Sequence, residues 1–430
     1  MNLHKAALSA VVLVLHVLLV GAQVSPDPAN GHWVDTWAAT PQLAEAADLP
    51  PAPFSSSNVT FQNTTIRQTL HLSLGAPMIR LRFSNAFGTT SLPITAVTVA
   101  LPTNSSSGVS SIQLDTLQNV TFSGSNSFSV PNGALVVSDP IDMQVEPQGD
   151  ISVSVYLESG QQGVDVTTHP LSMTTSFFVN GNAVAEVDLS GSQSAEHWYF
   201  VSAVEAWAPQ EAVTLVAFGA SIVDGMGSDV NRNDRWPNQL FTLMQNNTNT
   251  SHIAVIDQGL SGNRVLTDGV GANGIGRIDR DLLSHSAVKF AIILEGVNDI
   301  GNAPTDVVSQ TAVGDQLILG YEQIISQVHA LGIPMFGATI TPFGNFAPYT
   351  DPTREQTRLR VNDWMRTSGK FDAVLDFDAV VRDSQNATVI VADFDSGDGL
   401  HPNAAGYHAI AASIPLGLFG QFADGVTGFM

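Results

Sequence analysis

Between about Ile66 and Trp207 apolar and polar residues alternate in short segments, TIRQTLHLS, MIRLRFSN, ITAVTVAL, ISVSVYLE and TTSFFVNG, separated by Gly, Pro, Asn and Ser. A period of two places successive side chains on opposite faces of a strand. In ISVSVYLE, Ile151, Val153, Val155 and Leu157 share one face, while Ser152, Ser154, Tyr156 and Glu158 take the other. No helical pattern interrupts the region. Two sheets that each bury one face solve this pattern, so residues 23–208 are expected to form an antiparallel β-sandwich of jelly-roll type.

After Ala208-Pro209 the pattern changes to apolar runs alternating with helical stretches. VTLVAF (213–218), HIAVID (252–257), VKFAIILEG (288–296), IPMFGATI (333–340) and FDAVLDF (371–377) read as buried strands. Helical patterns begin near Arg235 and recur around Ile275 to Leu283, Gly314 to Leu331 and Thr353 to Met365. This alternation predicts an α/β domain over 209–430, with a parallel sheet covered on both faces and a ligand site beyond the carboxyl ends of its strands. A length of 430 residues also exceeds what one core usually organises, in keeping with two domains.

Composition narrows the setting. Residues 1–22 read as a cleaved signal peptide, with Lys5 before an apolar run from Ala6 to Val20 and small residues at Gly21 and Ala22. No later segment reads as a membrane span. The sequons at Asn58, Asn63, Asn104, Asn119, Asn246, Asn249 and Asn386 fit the same exported route. Secretion to the extracellular space is therefore expected. The chain has no cysteine, which removes disulfides, thiolate metal sites and cysteine nucleophiles together. Its formal charge is −23, and loss of Lys5 makes it one unit more negative. Such a surface repels polyanions, so nucleic acid is not an expected partner and a neutral substrate is.

Ser221 lies in GASIVDG (219–225), three residues past the first apolar run, where a tight turn would expose its hydroxyl. The segment lacks the G-x-S-x-G elbow, because Val223 stands where the second Gly would be. A serine hydroxyl needs an imidazole to take its proton and a carboxylate to fix that imidazole. Asp398 and His401, in DGLHPNAAGYHAIA, supply such a pair in a loop that leads into the last helix. His408 reads as a residue of that helix. Two further loops at strand ends, GLSGNR (259–264) and EGVNDIG (295–301), offer Gly262 N–H and the Asn298 side-chain amide as donors toward an oxyanion.

These four blocks, in this order, resemble the SGNH hydrolase superfamily, also called GDSL esterases and lipases. The resemblance spans residues 213 to about 415. It implies a three-layer, flavodoxin-like fold, a triad of Ser221, His401 and Asp398, and an oxyanion hole built from Ser221 N–H, Gly262 N–H and Asn298 Nδ2. HWVDTWAAT and RLRFSNAFG resemble, more loosely, the β-sandwich that precedes the hydrolase in a secreted subgroup of aryl and carbohydrate esterases. One departure is Ala220, where the family usually carries Asp.

The expected activity is hydrolysis of short acyl esters, acetyl foremost, of carbohydrate or aryl alcohols, on small-molecule or polysaccharide substrates. The alternatives are a lipase or lysophospholipase of the same superfamily and a noncatalytic sugar-binding protein using Trp33, Trp37 or Trp198 as stacking platforms. Asp299, Asp393, Asp395 and Asp398 form no recognised metal motif, and a serine mechanism requires no metal or other cofactor. Oligomeric state is not legible in the sequence.

Overall fold

The computed structural model describes residues 30–427, so the segment read as a signal peptide lies outside the described residues. The amino-terminal half is built on two antiparallel sheets. One orders His32–Ala38, Val201–Ala208, Ala76–Ser84 and Leu135–Val137, with Ile141–Val145 also pairing Ala76–Ser84. The other orders Gln193–Ala195, Ser176–Asn180, Thr64–His71, Asp150–Leu157, Ala96–Ala100 and Gln118–Val120. Ile151, Val153, Val155 and Leu157 enter the core between them, beside Ile79, Leu81 and Phe83 of the facing sheet.

The polar face of that strand is buried as well, because chain segments cross over it. Ser154 Oγ accepts from Arg67 Nε at 2.8 Å, and Arg67 donates onward to the carbonyls of Ser110, Ala183 and Glu186. Burial costs this guanidinium some of its basicity, and its pKa falls to about 10.

The carboxyl-terminal half is a five-stranded parallel sheet in which Ile253–Gly259, Val213–Gly219, Val288–Leu294, Met335–Ala338 and Ala373–Leu375 are neighbours in that order. In chain order this is second, first, third, fourth, fifth, the flavodoxin-like arrangement, whose direction reverses between the first and third strands. Leu215 and Ala217 pack with helices Trp236–Gln245 and Ala404–Ser413 on one face. Val216 and Phe218 pack with Val307–His329 and Pro352–Thr367 on the other. The long helix begins earlier than its apolar pattern, since Asp306 caps it by accepting from Ser309 N.

The two halves share cores and charges. Val34 and Leu74 of the sandwich pack into one face of the α/β half, and Ala38 and Ala203 into the other. Strand Ile253–Gly259 is the sheet's edge, and the sandwich covers it, with Val255 N donating to Ser73 Oγ at 3.1 Å. Asp35 Oδ2 accepts from His285 Nδ1 and Ser286 N at 2.8 and 2.7 Å. Glu205, fully buried, receives Arg80, Arg82 and the Ser286 hydroxyl.

Burial opposes ionisation of Glu205, but the two arginines outweigh it and bring its pKa down to about 2. A depressed carboxylate contributes stability above its unfolded value, ~4.3, and loses it as pH falls toward the folded value. Glu205→Gln should destabilise the protein by roughly 1–3 kcal/mol at neutral pH, since it leaves half-buried Arg80 without its carboxylate and buried Arg82 with only the longer 3.8 Å pair to Asp35. Urea unfolding followed from pH 7 to pH 2.5 should show that the variant loses less stability across the acid range. An identical acid slope in both proteins would assign that loss to other carboxylates.

Candidate active site

The site lies where the sheet order reverses, at the carboxyl ends of the first and third parallel strands. Ser221 opens the short helix Ser221–Asp224, two residues beyond strand Val213–Gly219. The sequence predicts an exposed turn, but the serine is only 4% exposed, because the helix begins at once and packs over the sheet. As the first helical residue, Ser221 has no intrahelical acceptor for its backbone N–H.

His401 Nε2 stands 2.8 Å from Ser221 Oγ, and its Nδ1 stands 2.6 Å from Asp398 Oδ2. A carboxylate only accepts, so Nδ1 carries the proton and Nε2 is left to accept from the serine hydroxyl. Asp398 Oδ1 takes the backbone N–H groups of Leu400 and His401 at 2.8 and 2.9 Å. Burial works against its charge, but these bonds and the His401 ring outweigh it and hold Asp398 well below the usual carboxylate range. The loop is tied at its base by Asp395, whose carboxylate accepts from Gly397 N and Gly399 N. Asn403 then caps helix Ala404–Ser413. His408 lies exposed on that helix, where it meets Gln239 rather than the site.

Gly262 has φ +78°, in the left-handed region that favours glycine. Among the described residues, neither its N–H nor that of Ser221 is used in a hydrogen bond. Asn298, on the short helix Val297–Asn302, is 5% exposed. Its Nδ2 donates to Asn263 O at 2.9 Å, and its Oδ1 accepts from Tyr349 at 2.9 Å. These partners orient the amide and leave one Nδ2 hydrogen for another acceptor. The arrangement thus offers a proton relay, with donors on separate loops for a developing negative charge.

Several residues that shape the site carry no signal in the sequence. Arg277, fully buried, donates to Gly219 O, Gln258 O and Asn263 Oδ1, which ties together the strand ends bearing the Ser221 and Gly262 loops. Asp299, weighed as a metal ligand, instead accepts from Val265 N and Leu266 N. Burial pushes its pKa up to about 6 despite those bonds. Tyr349 is a third. No local pattern marks it, because its partner lies 51 residues away. Tyr349→Phe should lower kcat by about 2- to 10-fold through loss of one neutral hydrogen bond to the Asn298 amide, with KM little changed. Wild-type kcat in this variant would mean that the Asn263 contact suffices.

Ala220 borders a cavity of about 10 Å³ with Leu294, Glu295, Val297 and Thr341. Glu295 is buried, its oxygens take no hydrogen bond among the described residues, and burial pushes its pKa up to about 8. The buried Arg277 guanidinium, 3.6 Å from its carboxyl group, opposes that rise. Trp37 and Trp198 are buried against each other, and the Arg80 guanidinium covers the Trp33 ring at 4.3 Å. Trp37 and Trp198 therefore offer no exposed stacking face, and Trp33 is half-buried.

Among solved structures, one similar to this chain is a carbohydrate acetylesterase family member from Sinorhizobium meliloti, 17% identical, with 49% of this chain and 99% of that one covered and a TM-score of 0.37. Another is the inhibitor-bound aryl esterase of M. smegmatis, 18% identical over 50% of this chain and 100% of that one, with a TM-score of 0.36. No curated protein matches significantly. Residues 217–409 match the model of the GDSL-like lipase/acylhydrolase family, and they contain Ser221, Gly262, Asn298, Asp398 and His401. Over residues 217–409 the carboxyl-terminal half of this chain is thus similar to the GDSL-like lipase/acylhydrolase family.

Proposed function

We propose that the protein is a secreted serine esterase that removes short acyl groups, acetyl foremost, from carbohydrate or aryl alcohols through an acyl-enzyme. The observation that carries this reading is the unbroken relay from Asp398 through His401 to Ser221, with contacts of 2.6 and 2.8 Å. Ser221 Oγ attacks the ester carbonyl as His401 takes its proton. Ser221 N–H, Gly262 N–H and Asn298 Nδ2 receive the charge that develops on the carbonyl oxygen. His401 then protonates the departing alcohol and activates the water that releases the acid. No metal or other cofactor is needed for these steps.

Residues 23–208 are read as an accessory sandwich and 209–430 as the catalytic domain, preceded by a signal peptide. All seven sequon asparagines are exposed, which supports a glycosylated, exported protein. The strong negative charge favours neutral alcohols over polyanionic ones.

The preference for short acyl groups rests on the loops around Ser221. GASIVDG, GLSGNR and DIGNAPTDVVSQ carry few large apolar side chains. A long chain would need a continuous apolar groove, at about 0.8 kcal/mol for each methylene buried. Two- to four-carbon esters should therefore have the highest kcat/KM in a p-nitrophenyl series from acetate to palmitate. A rise toward palmitate would favour the lipase alternative.

A further inference from the structure

A buried side chain of the sandwich half bonds to the end of the helix that Ser221 opens. His169, on the short sandwich strand Thr167–His169, places Nε2 2.9 Å from Asp224 Oδ1 and Nδ1 3.0 Å from the Thr40 carbonyl. Both neighbours accept, so the ring carries both protons and pairs as an imidazolium with the Asp224 carboxylate. The ring stacks on Trp198 with centroids 5.6 Å apart. Arg235 and Asp257 are the other charged groups around this pair, and Arg235 Nε donates to Asp224 O. Burial opposes the imidazolium, but Asp224 outweighs it and raises the His169 pKa.

Asp224 stands at a junction. It closes the four-residue helix that Ser221 opens, and its other oxygen accepts from Ser261 N at 2.9 Å, one residue before Gly262. The end of strand Ile253–Gly259 also approaches this helix closely, since a Cβ on Gly259 would lie 2.2 Å from Asp224 N. One carboxylate therefore links the helix bearing the nucleophile to the loop bearing an oxyanion donor. The only side chain within hydrogen-bond reach of it, among the described residues, is His169.

We propose that His169 is a positioning residue through which the sandwich holds the Ser221 helix and the Gly262 loop at the separation acyl transfer requires. This rests on the assignment of Ser221 and Gly262 above. The accessory half then belongs to the catalytic machinery, because without the imidazolium Asp224 is a buried charge held by a single backbone N–H and is free to draw the helix or the loop out of place. Neither His169 nor Asp224 touches substrate. Their effect should fall on kcat.

The test is a double-mutant cycle on the full chain with His169→Gln, Asp224→Asn and the double variant. Rates for p-nitrophenyl acetate are expressed per site labelled by a fluorophosphonate, so that unfolded protein does not count as lost activity. Each single variant is expected to lower kcat by roughly 10- to 100-fold, as a small displacement of reacting groups does. KM should stay within about twofold, and the double variant should be no slower than the slower single one, because the two residues act through one link. Multiplying effects in the double variant would overturn the proposal. So would single variants that melt at lower temperature while each labelled site keeps wild-type kcat, since His169 would then only dock the two halves. Asp224→Asn retains the shape of its site and reads the same link if His169→Gln fails to fold. Ser221→Ala, run alongside, separates the two readings: activity persisting in that variant removes the nucleophile assignment, whereas its loss together with unchanged kcat in the His169 and Asp224 variants removes the positioning role alone.

Discussion

Ser221→Ala is expected to reduce kcat by roughly 10⁴- to 10⁶-fold while the protein stays folded. In the proposed mechanism the hydroxyl removed is the group that forms the acyl bond, and among the described residues its only side-chain partner is His401 Nε2. The substitution leaves the rest of the apparatus in place. Alanine at the first helical position keeps the backbone N–H, so the proposed oxyanion donor survives, and alanine has the highest intrinsic helix propensity. Residual hydrolysis should therefore reflect binding and electrostatic stabilisation alone. Turnover of p-nitrophenyl acetate and covalent labelling by a fluorophosphonate check the two consequences separately. Labelling of another serine with retained turnover would falsify the assignment.

Asn298→Ala should have the next largest effect, a loss of roughly 10²- to 10³-fold in kcat, as for other single oxyanion donors. Its amide is held from both ends, with Nδ2 on Asn263 O and Oδ1 on the Tyr349 hydroxyl. A donor already oriented costs no reorganisation when charge develops on the carbonyl oxygen, and its bond strengthens as that charge grows. The loss should therefore appear in kcat and kcat/KM alike. A change confined to KM would make Asn298 a ground-state binding residue. Tyr349→Phe leaves the amide present but less firmly held, which is why its expected effect is much smaller.

Local chemistry makes the strands and the Asp398–His401 pair legible in the amino-acid sequence by itself. Alternation in ISVSVYLE reflects the two-residue repeat of the pleat, and runs such as VTLVAF reflect burial on both faces, so both sheets can be read from neighbouring residues. His401 and Asp398 are three residues apart, close enough for their pairing to be read as a loop motif. The start of the long helix is not legible in this way, because Val307 and Val308 are exposed and the boundary is set by the Asp306 cap rather than by apolar periodicity. The turn expected at Ser221 is a helix because the chain must pack immediately over the sheet.

What the tertiary structure alone decided is how the four loops are held and what the sandwich contributes to them. Arg277 reads in sequence as one arginine in a helical stretch, yet it binds Gly219, Gln258 and Asn263 at once. His169 and Asp224 are 55 residues apart in different halves, and Arg82 and Ser286 are separated by 204. A charged side chain gives no periodic signal, and its partner is determined by which polar group shares its burial after the chain has folded. Desolvation makes such pairing obligatory inside the protein, while in sequence the same residues are indistinguishable from those that face water.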